Sequence, residues 1–271
     1  MMRRSRPRVA IDRVPHVRGP QRTSFVGVAP LGDMGIRATR EPVRAAGFSP
    51  RLFCLRRLLR GRRGMLAENL ARLAGIASAP LGVEDAEERF ADIPIAGGLR
   101  DLLKVRNGFY AFESALHVFA CGEGSVHDIT AWNKADGWKG EYGESTRDLF
   151  FFAEDVFGVQ FGLRDGHVFL FDPETGEHSL FANDCEEWAG KILADYEVHT
   201  GYPLAHEWQL ENGPIPFGYR LVPKIPFVLG GAFALSNLAV MECATAMKMR
   251  ASVASQIAGH PDGTKVRLKV R

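Results

Sequence analysis

The sequence predicts an α+β fold in which a mostly antiparallel sheet, a central meander, is flanked by helices. The chain has 271 residues, of which 46% are apolar and 24% charged, proportions that suit a globular protein with a sizeable core. Between residues 149 and 184, apolar runs and strict alternation are divided by turn residues, which is the pattern of successive strands. Apolar residues at helical spacing occur on both sides of that stretch. Strands grouped together, with helices before and after them, are typical of the α+β class.

Charge divides the chain at Met65. Residues 1–64 contain sixteen Arg, no Lys and three acids, a formal charge of +13, whereas the remainder contains 18 basic and 29 acidic residues, a charge of −11. We predict that residues 1–64 are a basic extension, disordered or not native to the protein, and that residues 65–271 form a single domain. A nucleic-acid-binding arm and a transit-like peptide are the other interpretations of the Arg-rich segment.

Helices and two strands are predicted ahead of the meander. Leu66, Leu70 and Leu73 share one helical face, and Asn107-Gly108 ends another helix because glycine suits the left-handed C-terminal position. The predicted elements are helices over 66–73, 83–90 and 99–106, followed by strands over 109–112 and 116–120.

The meander itself is predicted from its turns. Asp165-Gly166 tolerates the positive φ of a two-residue hairpin, and residues 172–176 form a second turn. Gly158 and Gly162 fall on one face of an alternating strand, where they would leave room for a helix. The predicted strands are 149–152, 156–163, 167–171 and 178–181, with Phe151, Phe161 and Phe169 in the core.

A capping box predicts the helix that follows the meander. Asp184 suits the N-cap position and Glu187 the third helical position, and Trp188, Ile192 and Tyr196 then repeat at helical spacing. Beyond this helix, the sequence predicts a loop rich in Pro and Gly over 204–219, strands over 227–229, 238–242 and 266–270, and a helix over 251–258.

The sequence contains no recognisable motif for a cofactor, a metal or a catalytic nucleophile. Dinucleotide-binding, P-loop, serine-hydrolase and zinc-protease patterns are all missing, and the eight His are scattered. The four Cys are far apart and lack zinc-site spacing, which favours separate reduced thiols. We therefore expect no bound cofactor or metal, and a cytoplasmic protein without a secretory signal or a membrane span.

Acidic residues give the strongest functional signal. From Asp155 to Glu211 there are twelve acidic and two basic residues, a charge of −10. Such a surface either serves solubility or steers a basic protein partner into contact. The candidate partner-binding acids lie at turns, strand ends and helix starts: Asp155, Asp172, Glu174, Glu177, Asp184, Glu186 and Glu187.

A second candidate surface lies in the irregular segment 125–145, which is rich in aromatic residues and glycine. Trp132, Trp138 and Tyr142 either present rigid contact area to a partner or cap the core.

Several short segments occur in an order that is informative as a whole, although each is a weak, structural motif. They are LRDLLKVRNG (99–108), LFFFAEDVFGVQFGL (149–163), FDPETGE (171–177), EEWAGKIL (186–193), GYPLAHEWQ (201–209) and, near the end, RLVPKIPFVLGGAFALSNL with PDGTKVRLKV. In this order, from about Met65 to the end, the chain resembles the SUKH superfamily, which contains the yeast Smi/Knr cell-wall regulators and many bacterial immunity proteins.

The resemblance implies a SUKH-like α+β fold that binds and neutralises a toxin, often a nuclease or a deaminase, in competition between bacteria. It carries over no catalytic residue, because the family lacks a shared catalytic motif. The implied partner of residues 65–271 is a basic toxin domain, with no membrane and no nucleic acid. Two other functions stay open: a regulatory scaffold of the Smi/Knr kind, and an enzyme whose site the sequence does not reveal.

Overall fold

The computed structural model describes residues 66–82, 97–122, 128–261, 263–264 and 266–269. The basic extension 1–64 and the predicted helix 83–90 lie outside the described residues. Within the described ranges, none of the helices is both long enough and apolar enough to cross a lipid bilayer.

A six-stranded antiparallel sheet forms the centre of the fold, and helices flank it, which confirms the predicted α+β class. Each strand pairs with its predecessor in sequence, so the sheet is one continuous meander. The strands are β1 (Phe109–Ala111), β2 (Leu116–Val118), β3 (Phe150–Asp155), β4 (Gln160–Arg164), β5 (His167–Phe171) and β6 (His178–Ala182).

The hairpin between β4 and β5 has the predicted turn. Asp165 and Gly166 both adopt positive φ, 51° and 80°, and Arg164 pairs directly with His167 across the turn. Two consecutive residues with positive φ are the signature of the two-residue turn whose twist matches that of the flanking strands.

The continuous strand predicted over 156–163 is wrong, because a turn interrupts it. The Asp155 carboxylate accepts the backbone N–H groups of Phe157 and Val159, at 2.8 and 2.9 Å, and so bends the chain at the end of β3. Strand β4 therefore begins only at Gln160.

Of the two glycines predicted to leave room for a helix, Gly158 lies against the Arg250 side chain of the C-terminal helix, whereas the space beside Gly162 is filled by an aromatic ring. A Cβ at this position would lie 3.0 Å from the ring of Phe151 on the neighbouring strand. Glycine thus permits close packing within the sheet itself.

Helices surround the sheet, and the one after the meander has the predicted cap. The Asp184 side chain accepts the backbone N–H of Glu187 at 2.8 Å, while the Glu187 carboxylate accepts the N–H of Asn183 at 2.9 Å. The helices of the described residues are α1 (Glu68–Ile76), α2 (Gly97–Val105), α3 (Ile129–Trp132), α4 (Glu144–Arg147), α5 (Cys185–Ala194), α6 (Tyr196–Thr200), α7 (Tyr202–Asn212) and α8 (Cys243–Ile257).

The core covers both faces of the meander with aromatic rings. On one face, Trp188 of α5 contacts Phe152 and Phe161, with ring centroids 5.0 and 5.8 Å apart. On the other face, Trp138 contacts Phe151 at 5.1 Å. Phe151 and Phe161 are fully buried, as predicted. Phe169 is only partly buried, because its ring lies near the sheet edge under the guanidinium of Arg164, so its prediction as a core residue holds in part.

A smaller two-stranded sheet follows the meander, and only one of its two strands was predicted. Strand β8 (Leu238–Glu242) is confirmed, and its partner β7 (Tyr219–Pro223) was missed. Strand β7 connects to the end of β3 through the Leu221 N–H, which donates to the Val156 carbonyl at 2.9 Å. A second apolar cluster, with Leu221, Leu238 and Ala205 at its centre, joins these strands to α7.

Three further predictions for the C-terminal third are wrong, and a fourth gave the wrong start for a helix. Most of the predicted loop 204–219 is helix α7, and the predicted strand 227–229 is a single 3₁₀ turn. The described part of the predicted strand 266–270 is not a strand; instead, the Gln256 side chain bonds the backbone of Lys269. The last helix begins at Cys243, well before the predicted start at 251, because Glu242 caps it by accepting the N–H groups of Ala244 and Thr245.

Candidate functional site

Two of the seven candidate acids are buried and cannot form part of a surface. Asp155 is 8% exposed and Glu174 is 5% exposed. Burial raises the pKa of each carboxyl group to about 7, although accepted backbone N–H groups and the nearby Arg250 act in the opposite direction. The prediction that these two residues contact a partner is therefore corrected: each one organises a turn.

The turn that contains Glu174 is tied to a distant loop. Asp172 accepts the Glu174 N–H at 2.7 Å, and burial raises the pKa of the Asp172 carboxyl group. The Glu174 carboxylate in turn accepts the N–H of Val228 at 2.8 Å. Val228 lies in the apolar loop 225–235, so this pair of acids joins the meander to the smaller sheet.

The acids at the start of α5 also have structural partners. Glu186 accepts the N–H groups of Asn69 and Leu70, at 2.8 and 3.1 Å, and so caps helix α1 from a distance. Glu187 forms an ion pair with Lys191 at 2.8 Å, and the hydrogen bond from Lys191 is the main cause that lowers the pKa of Glu187 to about 2. Asp184 is exposed but is used as the N-cap.

The aromatic candidates in segment 125–145 pack inward. Trp132 and Trp138 are 5% and 2% exposed, with ring centroids 5.3 Å apart. Tyr142 is partly buried, and its hydroxyl lies 2.8 Å from the carbonyl of Pro173. These three residues cap the core. The alternative, in which the two tryptophan rings form a surface for a partner, is wrong.

Most of the exposed acids between residues 155 and 211 lie after the meander, in or next to the helices that follow it. Helix α7 presents Glu207, Leu210 and Glu211 on one face, since residues three and four positions apart are neighbours on a helix. Leu210 is 74% exposed, the highest value among the large apolar side chains of the described residues. The exposed acids of 155–211 are Asp165, Glu177, Asp184, Asp195, Glu197, Glu207 and Glu211.

A buried polar network, which the sequence did not reveal, lies where the two sheets meet. The Glu154 carboxylate of β3 is bonded by His117 Nδ1 at 3.1 Å and by Gln160 Nε2 at 2.9 Å, and Arg220 Nε lies 3.0 Å from it. Cys243 Sγ is 3.5 Å from the same carboxylate. All of these side chains are at most 2% exposed. A charged pair that is this deeply buried has to be supported by further hydrogen bonds.

The network contains an imidazole, a carboxylate and a thiol, but its chemistry is that of a structural link. Burial, followed by the proximity of Glu154, raises the pKa of the Cys243 thiol well above its usual value. A protonated, enclosed thiol is a poor nucleophile. The guanidinium of Arg220 also lies over the ring of Tyr110, which stacks on His117 at 4.3 Å. The contacts of Arg220 and Cys243 join the meander to β7 and α8, whereas those among Tyr110, His117, Glu154 and Gln160 join strands within the meander.

The described residues contain no group of three or more His, Cys, Asp or Glu arranged to hold a metal ion. Cys121, Cys185 and Cys243 are buried thiols on separate elements. The sequence signal for the network was weak: Glu154 and Gln160 interrupt apolar strands, but their partners lie far away in the chain.

No protein-family model matches the chain, and no curated protein matches its sequence. Among solved structures, the crystal structure of Atu4351 from Agrobacterium tumefaciens is similar, with a TM-score of 0.49 and 12% sequence identity over 75% of this chain and 98% of that chain. The candidate site is therefore interpreted from its own geometry.

Proposed function

We propose that residues 65–271 act as an immunity-type binding protein that neutralises a cognate protein toxin, of the nuclease or deaminase class, by stoichiometric binding. The sequence resemblance to the SUKH superfamily supports this proposal. The observation that carries it is the exposed face of α7, which Leu210 shares with the exposed acids Glu207 and Glu211.

An exposed apolar side chain with an acidic rim suits a basic protein partner. Interfaces commonly combine an apolar centre with a polar rim. A nuclease toxin must bind phosphates and so tends to present Arg and Lys around its active site. An acidic face would be attracted to that region and would block the entry of substrate.

The burial of Asp155 and Glu174 moves the proposed surface away from the turns of the meander. The acids that can act over a distance are those facing water, since solvent-exposed charges set the long-range field that a partner meets. On helices α6 and α7 these acids are Glu197, Glu207 and Glu211. They lie outside the hydrogen-bonded caps, so reversing them should leave the fold intact.

Association kinetics test this proposal. The full-length protein would be measured against an inactive toxin domain encoded beside its gene, and the variant Glu197→Lys, Glu207→Lys, Glu211→Lys should associate about tenfold more slowly at low salt. High salt should reduce the difference because it screens the charges. Dissociation should change far less.

The matched control reverses three exposed acids elsewhere on the molecule, Asp101, Asp136 and Glu141, which changes the net charge by the same amount. Equal slowing by both triple variants would show that net charge, and not this face, sets the rate. A toxin that forms no complex with the unmodified protein would contradict the proposed function itself.

A further inference from the structure

Strand β6 (His178–Ala182) is an edge of the six-stranded sheet in the described part of the chain. Its only strand partner there is β5, and Leu170 pairs with Ser179 in the ladder. The Asp172 N–H donates to the Glu177 carbonyl at 2.9 Å, so Asp172 and Glu177 form a hydrogen-bonded pair next to the ladder. This bond determines which of the following residue pairs are hydrogen-bonded. Because bonded and non-bonded pairs alternate in antiparallel strands, the N–H and C=O groups of His178 and Leu180 point away from β5.

The outer edge of β6 is exposed to solvent and lacks the usual protecting residues. The four consecutive residues 177–180 are all exposed, and Leu180 exposes 56% of its surface. Edge strands are commonly protected by proline or lysine, and neither occurs in residues 177–182. The pairing of β6 with β5 has one register shift, which lies between Leu180 and Ala182 at the C-terminal end of β6. The rest of the edge is regular.

We propose that this edge is the interface of a symmetric dimer, in which β6 strands of two copies pair antiparallel about Ser179 and join two six-stranded sheets. The outward groups of each strand belong to His178 and Leu180, so self-pairing must place His178 of one copy opposite Leu180 of the other. This register gives four backbone hydrogen bonds and sets Ser179 directly opposite Ser179 of the second copy.

Charge and apolar contacts favour a second copy as the occupant. The same register places the exposed Glu177 opposite Phe181 of the second copy. Lys191, which is also ion-paired with Glu187, donates to the carbonyl of Phe181 at 2.7 Å, so its ammonium group lies beside the position that the Glu177 carboxylate reaches. On the opposite face, Leu180 approaches His178 of the second copy, whose ring lies against Phe169. The contact is therefore complementary to itself, as a two-fold interface requires.

The interface would be small, one strand and one exposed leucine from each copy. Interfaces of this kind bury less than about 1,200 Å² and are commonly transient. The dimer should therefore form as protein concentration rises, which sedimentation velocity on the full-length chain can measure. This inference does not depend on the proposed function: a monomer could still neutralise a toxin, and a dimer could form without one.

A disulfide trap tests the register directly. In the proposed pairing, the Cα atoms at position 179 lie about 4.5 Å apart, within the range of a disulfide. The variant Ser179→Cys should therefore form a cross-linked dimer under mild oxidation. His178→Cys and Leu180→Cys are matched controls, because the two copies of each position would lie about 9 Å apart, too far for a bond. Equal cross-linking of all three variants would overturn the register, and no cross-linking above the unmodified protein would overturn the dimer.

A proline variant tests the edge without a new thiol. The N–H of Leu180 faces away from β5, so Leu180→Pro keeps the internal ladder but removes a donor from the proposed interface. We expect this variant to stay monomeric at concentrations where the unmodified chain dimerises, with an unchanged circular-dichroism spectrum. A Leu180→Pro protein that associates as strongly as the unmodified chain would contradict the proposal, as would an unmodified chain that stays monomeric throughout.

Discussion

A single carboxylate, that of Glu154, connects side chains from four other elements in the interior. Arg220 is 1% exposed, so removing it would leave the Glu154 charge buried without its cation. Truncating one member of a buried ion pair commonly costs about 3–5 kcal/mol. We expect Arg220→Ala to lower the free energy of unfolding by an amount in this range, measured by chemical denaturation.

The exposed pair Arg147–Glu144 is the matched control for Arg220. Its side chains are 67% and 75% exposed. Exposed ion pairs contribute about 0–1 kcal/mol, so Arg147→Ala should change stability far less than Arg220→Ala. The double variant Glu154→Leu, Arg220→Met should recover part of the loss because it removes both charges together. Equal effects from Arg220→Ala and Arg147→Ala would contradict the structural role of the network.

Glu174 should make stability depend on pH. Its folded-state pKa is raised from 4.5 to about 7 by burial, so the folded protein retains the proton where the unfolded chain has lost it. The corresponding stability is fully present below about pH 4.5 and is lost as pH rises through 7. Glu174→Gln keeps a neutral acceptor for the Val228 N–H and should flatten this decline, followed as the melting temperature between pH 5 and 8.

The control for Glu174→Gln is the removal of an exposed carboxyl group from the same turn. Glu177→Gln removes an exposed carboxyl group and should leave the decline with pH as it is in the unmodified protein. Asp155, whose pKa burial also raises to about 7, should supply the remaining slope in Glu174→Gln. A melting temperature that rises between pH 5 and 8 in the unmodified protein would show that other groups dominate.

The burial of some single residues could not be predicted from the sequence. Asp172 and Glu174 sit in a turn-like sequence, and turns commonly face water, so they were predicted to be surface acids. Glu174 is instead buried, and its carboxylate accepts the N–H of Val228 in the loop 225–235, which is more than fifty residues away in sequence. Trp132 and Trp138 illustrate the same point, since composition alone does not distinguish a capping ring from an exposed one.

At the scale of elements, the side chain of Asn237 bonds the loop 225–235 at two places, in addition to the bond from Val228 to Glu174. Asn237 is 8% exposed; its Oδ1 accepts the Ile225 N–H at 2.9 Å, and its Nδ2 donates to the carbonyls of Ile225 and Ala232 at 3.0 Å. Leaving a buried backbone group unsatisfied costs about 1–3 kcal/mol, and the groups that Asn237 bonds are partly buried. We expect Asn237→Ala to destabilise the protein by this amount and to speed hydrogen exchange within the loop. Ser236→Ala, at an exposed position in the same turn, is the control, and equal exchange rates in both variants would refute the role of Asn237.

The elements that were predicted correctly are those with local signals. The β4–β5 hairpin follows from Asp165-Gly166, and the α5 cap follows from Asp184 and Glu187. Helix α7 was missed because Pro203 and nearby glycines suggested a loop, whereas Pro203 lies in the first turn of the helix, where its missing N–H costs nothing. Strand β7 was missed because it is short and its pairing with β8 is not a local contact.

At the scale of the whole molecule, the network around Glu154 and the turn at Glu174 connect the meander to the smaller sheet at two separate places. Arg220 of β7 reaches Glu154 of β3, and Val228 of the apolar loop reaches Glu174. Both links are polar and buried, so neither could be predicted from hydrophobic periodicity. The two sheets are therefore expected to unfold together, in a single cooperative transition.

We expect this cooperative unit to need only the part of the chain that follows Met65. Charge and periodicity both change at Met65. We expect residues 65–271, expressed alone, to melt within experimental error of the full-length chain, since the sequence predicts that the domain begins at Met65. Limited proteolysis of the full-length chain should likewise leave a stable fragment that begins near Met65. A protected fragment that includes Arg3 to Arg44, or a fragment 65–271 that melts at a markedly lower temperature, would show that the basic extension belongs to the folded unit.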